Sequence, residues 1–275
     1  MFTPNEKISQ IVTKLWNLDE NRLEPGKDYD IDLQGYTKVY RKGSADYARE
    51  PLFTFVNEEE VFERETYNHF RLLLNNYTCE AGVSEEVTPA EMHENQLFID
   101  AIMETDVMKE AHRVLVDNEK ASEDEEEFKQ QLYDLWFKLY RRTKGNRSLD
   151  SSGFEHVFVG ETRGEKDVIG FHNWIQFYLQ EKLGHVDYLG YIPRGTPRDD
   201  VQRLISIQFS WNDSVKPVGS SFIGTSPEFE VALYTVVCLL SDDYKTPICI
   251  DGQYEVEICC QRWGRNLGAA YPVAQ

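Results

Sequence analysis

The chain has 275 residues, of which 41% are apolar and 13% aromatic, enough for one or two packed domains. This composition excludes disordered, collagen-like and coiled-coil proteins. No uncharged apolar run of about 18 residues is present, so we expect no membrane insertion. The 29 basic and 48 acidic side chains give a net charge of −19, which by itself argues against polyanionic partners such as RNA.

The amino terminus and the cysteines indicate the compartment. The first residues lack a basic segment followed by an apolar stretch, so we expect no signal peptide and no secretion. The five cysteines include the adjacent Cys259 and Cys260 and show no CxxC spacing, which argues against a zinc site and a disulfide framework. We expect reduced thiols in an intracellular, cytoplasmic protein, with the nucleus as the alternative.

The first half of the chain shows helical periodicity. Apolar side chains recur every three to four residues between Pro4 and Asp19 and again between Val61 and Leu74. Two segments have the spacing of a capping box at a helix start, Thr88 to Glu91 and Ser122 to Glu125. The sequence therefore predicts a mainly helical N-terminal region over residues 1–145.

The second half changes to strand-like alternation. Alternating apolar side chains predict strands from Phe154 to Val159 and from Leu204 to Trp211, and strands return near the C-terminus. Helices are predicted after Gly170 and from Ser226. Separate runs of helices and strands favour an α+β fold, so residues 146–275 are predicted to form a β-rich region of antiparallel sheets with flanking helices.

Two histidines of the second half are candidates for acid/base chemistry. His156 lies on the predicted strand between Glu155 and Glu161, and a nearby carboxylate would keep its imidazole protonated. His172 is expected at the first turn of a helix, whose positive end disfavours an imidazolium and favours a neutral base. Two imidazoles whose pKa values are pushed apart form an acid/base pair. Taken singly, each histidine is more typical of a packing residue, and the spacing alone does not decide between the two interpretations.

Four ordered segments resemble the EndoU family of uridylate-directed endoribonucleases, which includes a frog enzyme, human placental protein and, more distantly, a coronavirus nuclease. They read SSGFEHVFVGE from Ser151, GFHNWIQFYLQEK from Gly170, VKPVGSSFIGTSPEFEVALY from Val215 and AAYPV from Ala269. The resemblance extends from about Leu139 to the C-terminus, and the helical first half is compatible with the amino-terminal part of cellular members. It marks residues 146–275 as the catalytic region.

The resemblance implies a catalytic trio of His156, His172 and Lys216, similar to that of ribonuclease A on an unrelated fold. One imidazole takes the proton of the ribose 2′-OH, which attacks the adjacent phosphorus, and the other protonates the departing 5′ oxygen. The Lys216 ammonium stabilises the charged phosphorane. The products are a 2′,3′-cyclic phosphate and a 5′-OH, and DNA does not react because it lacks the nucleophile. We assign His172 as the base and His156 as the acid.

The resemblance also implies dependence on manganese or calcium. Glu155 and Glu161 match acidic positions of the family motif and are candidates either to tune the histidines or to hold a divalent ion. The chemistry needs no metal in its transition state, and the spacing shows no close cluster of oxygen ligands. We therefore expect the ion to act as an activator, by letting RNA approach or by ordering loops. Direct catalysis by the metal is the less favoured alternative, and the metal ligands are unknown.

Substrate contacts are expected from five further residues, three just ahead of the first family motif and two in the last. Arg142 and Arg147, with Lys144 between them, are candidate phosphate contacts. Tyr271 is a candidate to stack on a base. Family members usually carry Ser or Thr two residues before this tyrosine, where it reads the uracil, but this chain has Ala269. Because a discriminating hydrogen bond is lost, we expect cleavage with a relaxed preference for uridine.

The expected function is a metal-stimulated endoribonuclease that cleaves single-stranded RNA preferentially at uridines. The first alternative is an RNA-binding regulatory protein with weak or no catalysis, against which the intact trio argues. The second is a protein-interaction module, which the net charge alone would favour. Nothing in the sequence sets an oligomeric state, and a monomer is the starting expectation.

Overall fold

Helices dominate the first half of the chain and strands the second, so the predicted α+β class is confirmed. In the computed structural model the described residues are 2–37, 46–143, 145, 147–164, 167–193 and 203–274. Lys144 lies outside them. The helices are α1 Glu6–Leu18, α2 Glu58–Glu63, α3 Glu65–Leu73, α4 Pro89–Met103, α5 Asp106–Asp117, α6 Glu125–Trp136, α7 Trp174–Lys182 and α8 Pro227–Leu240, with a π-helical turn at Glu155–Val159.

Among the described residues the strands form three sheets. Their bounds are β1 Tyr29–Ile31, β2 Phe53–Val56, β3 Glu161–Arg163, β4 Asp167–Ile169, β5 Val186–Tyr191, β6 Leu204–Trp211, β7 Ser214–Phe222, β8 Lys245–Ile250, β9 Tyr254–Trp263 and β10 Asn266–Ala274. Strands β1 and β2 pair with each other, β3-β4-β7-β6-β5 form a second sheet, and β10-β9-β8 a third. All pairs are antiparallel except β4 with β7.

Local chemistry explains most helix starts. Thr88 accepts a hydrogen bond from Glu91 N while the Glu91 side chain accepts one from Thr88 N, so the predicted capping box is confirmed. The second box is wrong: α6 is capped by Asp124, whose side chain accepts from Glu127 N, rather than by Ser122. The helix cap therefore lies two residues later than predicted, at Asp124 instead of Ser122, and it satisfies the free N–H group of Glu127.

The helical half and the β-rich half share one hydrophobic cluster. Phe70 of α3 meets Phe154 and Phe158 edge-on or tilted, with ring centroids 5.4 and 5.3 Å apart. Trp136 at the end of α6 stacks on Phe158 at 5.1 Å. Aromatic side chains of the first half therefore pack against the segment that carries His156 and fix its position.

Within the described part of the chain, no helix has the length and apolar character required to cross a lipid bilayer.

Candidate active site

His156 lies on a helical turn and not on a strand, so the strand predicted from Phe154 to Val159 is wrong. Ser152 Oγ accepts a hydrogen bond from Glu155 N at 3.1 Å, and Glu155 Oε2 accepts one from Ser152 N at 3.2 Å. This reciprocal pair is a capping box, which starts a helix. Phe154, His156 and Phe158 gave the appearance of a strand because the whole turn is buried on all sides. The Ser-x-x-Glu spacing from Ser152 to Glu155 is the sequence signal that identifies the helical turn.

The segment from Gly170 to His172 lies against that turn. Phe171 N donates to His156 O at 3.0 Å, and His172 N donates to Val157 O at 2.8 Å. Gly170 has a φ of +64°, and a Cβ there would lie 1.8 Å from His156 O. Only glycine permits this approach, which brings the two histidine segments together. Phe171 also has a positive φ of 65°, a strained conformation for an aromatic residue next to the site.

His172 precedes a helix and does not belong to its first turn, because α7 begins at Trp174 and is capped by Asn173. Its Nδ1 donates to the backbone oxygen of Ser220 at 2.9 Å, which leaves Nε2 as the unprotonated nitrogen of the neutral ring. Burial lowers the pKa of His172 well below 6.5, and the charge of Lys216 lowers it further. The structure thus supplies a neutral imidazole, for a different reason from the helix dipole.

Lys216 lies on β7 with its ammonium inside the protein. Nζ donates to the backbone oxygen of Gly170 at 2.8 Å and is 3.4 Å from that of Val168. Burial lowers the pKa of Lys216 to about 8. The charge of Lys216 lowers the pKa of both His156 and His172, so the structure brings all three groups into one electrostatic field.

Glu161 is the carboxylate that faces His156. Its Oε2 contacts His156 Nδ1 and lies 3.3 Å from Arg142 Nε. Burial and then Arg142 and Lys216 lower the pKa of His156, whereas an ionised carboxylate at Nδ1 favours the imidazolium. Burial raises the pKa of Glu161 to about 7, with Arg142 acting in the opposite direction. Burial thus disfavours charge on both groups, and the contact between His156 Nδ1 and Glu161 Oε2 is the path by which they share a proton.

Glu155 has a different environment, although the sequence treats the two glutamates alike. Burial raises the pKa of Glu155 to about 11, and the charges of Glu161 and Glu85 add to the effect. The group is therefore neutral at pH 7; it accepts a hydrogen bond from Ser152 N and shares one with the Glu85 side chain. Glu155 shapes the turn, while Glu161 faces the imidazole.

These carboxylates do not fit a metal site in the arrangement that the structure shows. Among the described residues no group of three or more His, Cys, Asp or Glu side chains is placed to hold a metal ion. Glu155 is a neutral capping group, and Glu161 already faces two nitrogen groups, on His156 and Arg142.

The residues expected to touch substrate fall into two groups. Tyr271 stacks on His172 with ring centroids 4.7 Å apart, and Ala269 is two residues away on the same strand, β10. Arg147 is exposed in the loop before the turn. Arg142 is largely buried: Nε bonds Ser151 Oγ at 3.0 Å, and Nη2 donates to Gly268 O. Arg142 therefore links β10 to Glu161, a positioning role that the sequence did not reveal. Its contact with a phosphate stays a prediction.

Comparison with known proteins identifies the family. The family model for endoribonuclease XendoU matches residues 7–272. The chain belongs to the XendoU endoribonuclease family. As a member it is an endoribonuclease, so the expected family and enzyme class are confirmed.

Named XendoU relatives match over nearly the whole chain. A poly(U)-specific endoribonuclease of Xenopus tropicalis is 49% identical over 98% of this chain and 94% of its own. Uridylate-specific endoribonuclease B of Danio rerio is 48% identical over 99% and 98%. The solved structure of XendoU, described as a splicing-independent snoRNA-processing endoribonuclease, has a TM-score of 0.88 at 47% identity and covers 99% of this chain and 98% of its own.

Proposed function

We propose that this XendoU-family endoribonuclease cleaves single-stranded RNA preferentially at uridines, by attack of the ribose 2′-OH on the adjacent phosphorus. The products are a 2′,3′-cyclic phosphate and a 5′-OH end, and DNA is not a substrate because it lacks the nucleophile. The uridine preference is supported by the names of the relatives. The observation that carries the chemistry is that the two imidazoles have different partners at Nδ1, a carboxylate for His156 and a backbone oxygen for His172.

His172 is the base in this proposal. Its Nδ1–H bond to the backbone oxygen of Ser220 fixes the tautomer, so the Nε2 lone pair is available to take the 2′-OH proton. Its lowered pKa keeps the ring neutral at pH 7. The acid limb of the pH–rate profile for kcat/KM is therefore expected below pH 6.5.

His156 is the acid. Glu161 at Nδ1 opposes the burial that lowers the pKa of His156, and the other ring nitrogen, Nε2, gives its proton to the departing 5′ oxygen. Lys216 supplies positive charge to the phosphorane as it forms. Because the pKa of Lys216 is about 8, this charge is present at pH 7 and is lost as the pH rises through 8. The rate is expected to fall on the alkaline side, first as His156 loses its proton and then as Lys216 loses its charge.

The test uses a short RNA with one uridine among purines, incubated with the protein and Mn²⁺, Ca²⁺ or EDTA. Mass spectrometry of the products is expected to show a 2′,3′-cyclic phosphate at the uridine. His172→Ala is expected to lower kcat by about 10²- to 10⁴-fold, the typical contribution of a general base, while its thermal melting stays cooperative. A 3′-OH end on the upstream fragment would contradict the mechanism and indicate attack by a metal-bound water.

The strictness of the base preference depends on Ala269. Its methyl group makes no hydrogen bond to a base, so cytidine is expected to be cleaved at a measurable rate beside uridine. Ala269→Ser restores a hydroxyl and is expected to raise the uridine-to-cytidine ratio of kcat/KM by about fivefold to 150-fold, the equivalent of ~1–3 kcal/mol. A wild-type cleavage ladder confined to uridines would show that the discrimination comes from other residues.

We further propose that Mn²⁺ or Ca²⁺ activates the enzyme by reducing the repulsion between RNA and a protein of charge −19. Glu155 and Glu161 lie in environments that do not suit metal binding, which supports an ion that acts outside the chemical step. Hexaamminecobalt(III), whose ammonia ligands do not exchange with protein oxygens, is then expected to replace Mn²⁺. Activation by Mn²⁺ or Ca²⁺ but not by the cobalt complex would show that direct coordination is needed.

A further inference from the structure

The β9–β10 hairpin extends from the trio into solvent. Trp263 pairs with Asn266, so Gly264 and Arg265 form a two-residue turn. Gly264 has a φ of +65°, as the first central residue of a type II′ turn requires. The turn sets the pairing of Trp263 with Asn266, and a bulge at Gly268 then shifts the register so that Gln261 pairs with Ala269.

One face of this hairpin continues the surface that Tyr271 begins. Tyr271 stacks on His172, and its cross-strand partner Cys259 touches it on the same face. Because side chains alternate along a strand, Gln261 and Trp263 follow Cys259 on that face of β9. Gln261 lies opposite Ala269 and is exposed. The small Ala269 leaves this stretch of the face open between Tyr271 and Trp263.

Trp263 is 46% exposed, and its ring stacks on buried Tyr140 with centroids 6.4 Å apart. A single exposed aromatic is common and has no meaning by itself. Here the indole packs on Tyr140 and lies on the same face of the hairpin as Tyr271. Arg142, two residues after Tyr140, binds Gly268 O and Glu161, which links the hairpin to the catalytic pair.

The charge of this segment is opposite to that of the chain. The last 18 residues, Ile258–Gln275, contain two arginines and no acid, a charge of +2, whereas the remaining 257 residues carry −21. Arg265 is exposed at the turn itself. Glu255 and Glu257 at the start of β9 bring the whole hairpin, residues 254–274, to zero net charge. A strand of RNA is therefore repelled less by this hairpin, and least near its turn, than by the rest of the chain.

The distance along β9 sets which nucleotide reaches Trp263. Trp263 is four residues from Cys259, the partner of Tyr271, about 14 Å at ~3.4 Å per residue. One base step in a stacked strand is about 3.4 Å. A base stacked on Tyr271 would therefore not reach Trp263, which lies about four base steps away and is accessible only to another nucleotide of the same strand.

We propose that Trp263, with Gln261 and Arg265 beside it, forms a second RNA subsite that stacks a base of a nucleotide flanking the cleaved one. The proposal rests on the endoribonuclease function described above and adds a substrate-length dependence to it. Stacking suits an acidic enzyme because the attraction between two π faces does not require a basic surface and depends little on base identity.

The experiment compares a substrate with one base and a substrate with seven. Uridine 3′-(methyl phosphate) contains the 2′-OH and the reacting phosphorus but no flanking base, and a heptanucleotide with a central uridine contains both. Trp263→Ala is expected to lower kcat/KM for the heptanucleotide by about fivefold to 150-fold, the equivalent of ~1–3 kcal/mol per stacked base. The same variant is expected to leave kcat/KM for the single-base substrate unchanged.

Two control variants separate stacking from folding. Trp263→Phe keeps an aromatic face and is expected to retain most of the heptanucleotide activity. Phe55→Ala removes an aromatic ring of equal exposure, 46%, from β2 and is expected to have no effect. Equal losses on both substrates for Trp263→Ala would overturn the subsite, as would an unchanged heptanucleotide rate.

A binding measurement tests the subsite separately from the proposed cleavage activity. Fluorescence anisotropy of the labelled heptanucleotide on the His172→Ala protein requires no cleavage, and adding Trp263→Ala is expected to weaken binding by the same factor. If the wild-type protein cleaves neither substrate, the proposed function fails, and the anisotropy still tests the subsite. If it cleaves both and Trp263→Ala binds RNA as tightly as its parent, the subsite alone fails.

Discussion

Buried carboxyl side chains in two parts of the molecule differ in the charges that face them. Glu161 in the site faces the imidazole of His156 and the guanidinium of Arg142. The α8 acid cluster, which we define as Asp19, Glu228 and Glu230, is faced mainly by neutral donors. Asn21 Nδ2 donates to Glu228 at 2.7 Å, Thr225 Oγ1 to Glu230 at 2.9 Å, and Ser226 N to Asp19 at 3.3 Å.

Burial is the largest cause of the raised pKa in every one of these groups. It raises the pKa of Glu230 to about 8 and that of Glu161 to about 7. The groups differ in what opposes burial: hydrogen bonds from Thr225 and Asn173 for Glu230, and the charge of Arg142 for Glu161. A buried glutamate next to neutral donors is a hydrogen-bonding group, whereas one beside a guanidinium ionises more easily and favours a proton on the imidazole that it faces. The following variants test this contrast.

Lys216→Met is expected to have the largest effect. Removing the ammonium takes away stabilisation of the phosphorane, so kcat is expected to fall by about 10²- to 10³-fold. The pKa of Lys216 is about 8 in the folded protein, below the usual 10.5, so below pH 8 its buried charge destabilises the fold. The free energy of unfolding in urea at pH 7 is therefore expected to stay equal or rise. A large loss of both activity and stability would show that Lys216 is mainly a structural residue.

Glu161→Gln is expected to shift the pH dependence. Without the carboxylate the His156 imidazolium loses its proton at lower pH, by about 1–3 pH units, so the alkaline limb of kcat moves down. Activity at pH 7 falls by about tenfold or more as a result. Glu155→Gln is the matched control, because a group that is already neutral at pH 7 leaves the position of that limb unchanged. The contrast fails if both variants shift it alike.

Glu230→Gln is expected to change stability in a pH-dependent way. The folded pKa of about 8 lies above the usual 4.5, so the wild-type protein loses stability as the pH rises from 4.5 through 8. Glutamine accepts the same hydrogen bonds without ionising in the unfolded chain. Urea unfolding is expected to show similar stabilities at pH 4.5 and a more stable variant at pH 7, by at most ~3 kcal/mol. Identical curves at both pH values would contradict the assignment of a neutral Glu230.

Arg147→Ala is expected to have the smallest effect. Arg147 is exposed, and a single phosphate contact contributes about 0.7 to the slope of log affinity against log salt for single-stranded RNA. The measurement is the salt dependence of heptanucleotide binding, with Arg113→Ala, a helix-surface arginine of α5, as the control. An unchanged slope would remove Arg147 from the RNA path.

The predictions from the sequence were accurate where the cause is local. Strand β6 coincides with the alternation from Leu204 to Trp211, and α8 begins after its Ser226 cap. The same reasoning was wrong at His156, where Phe154 and Phe158 alternate with it because the turn is surrounded by other elements. Alternation reports burial on one side of a strand, and it does not distinguish a helical turn that is buried on every side.

The sequence by itself determined which groups are available for chemistry: two histidines and a lysine in ordered motifs, and glycines such as Gly170 that permit close backbone contact. Tertiary structure decided what each group does, because the deciding contacts join distant residues. Lys216 reaches Gly170 across 46 positions, and Arg142 reaches Gly268 across 126. Glu155 and Glu161 are equivalent in the sequence, and only packing against Arg142 and His156 makes one of them the partner of the imidazole. A pKa depends on burial and facing charges, which the order of residues does not specify.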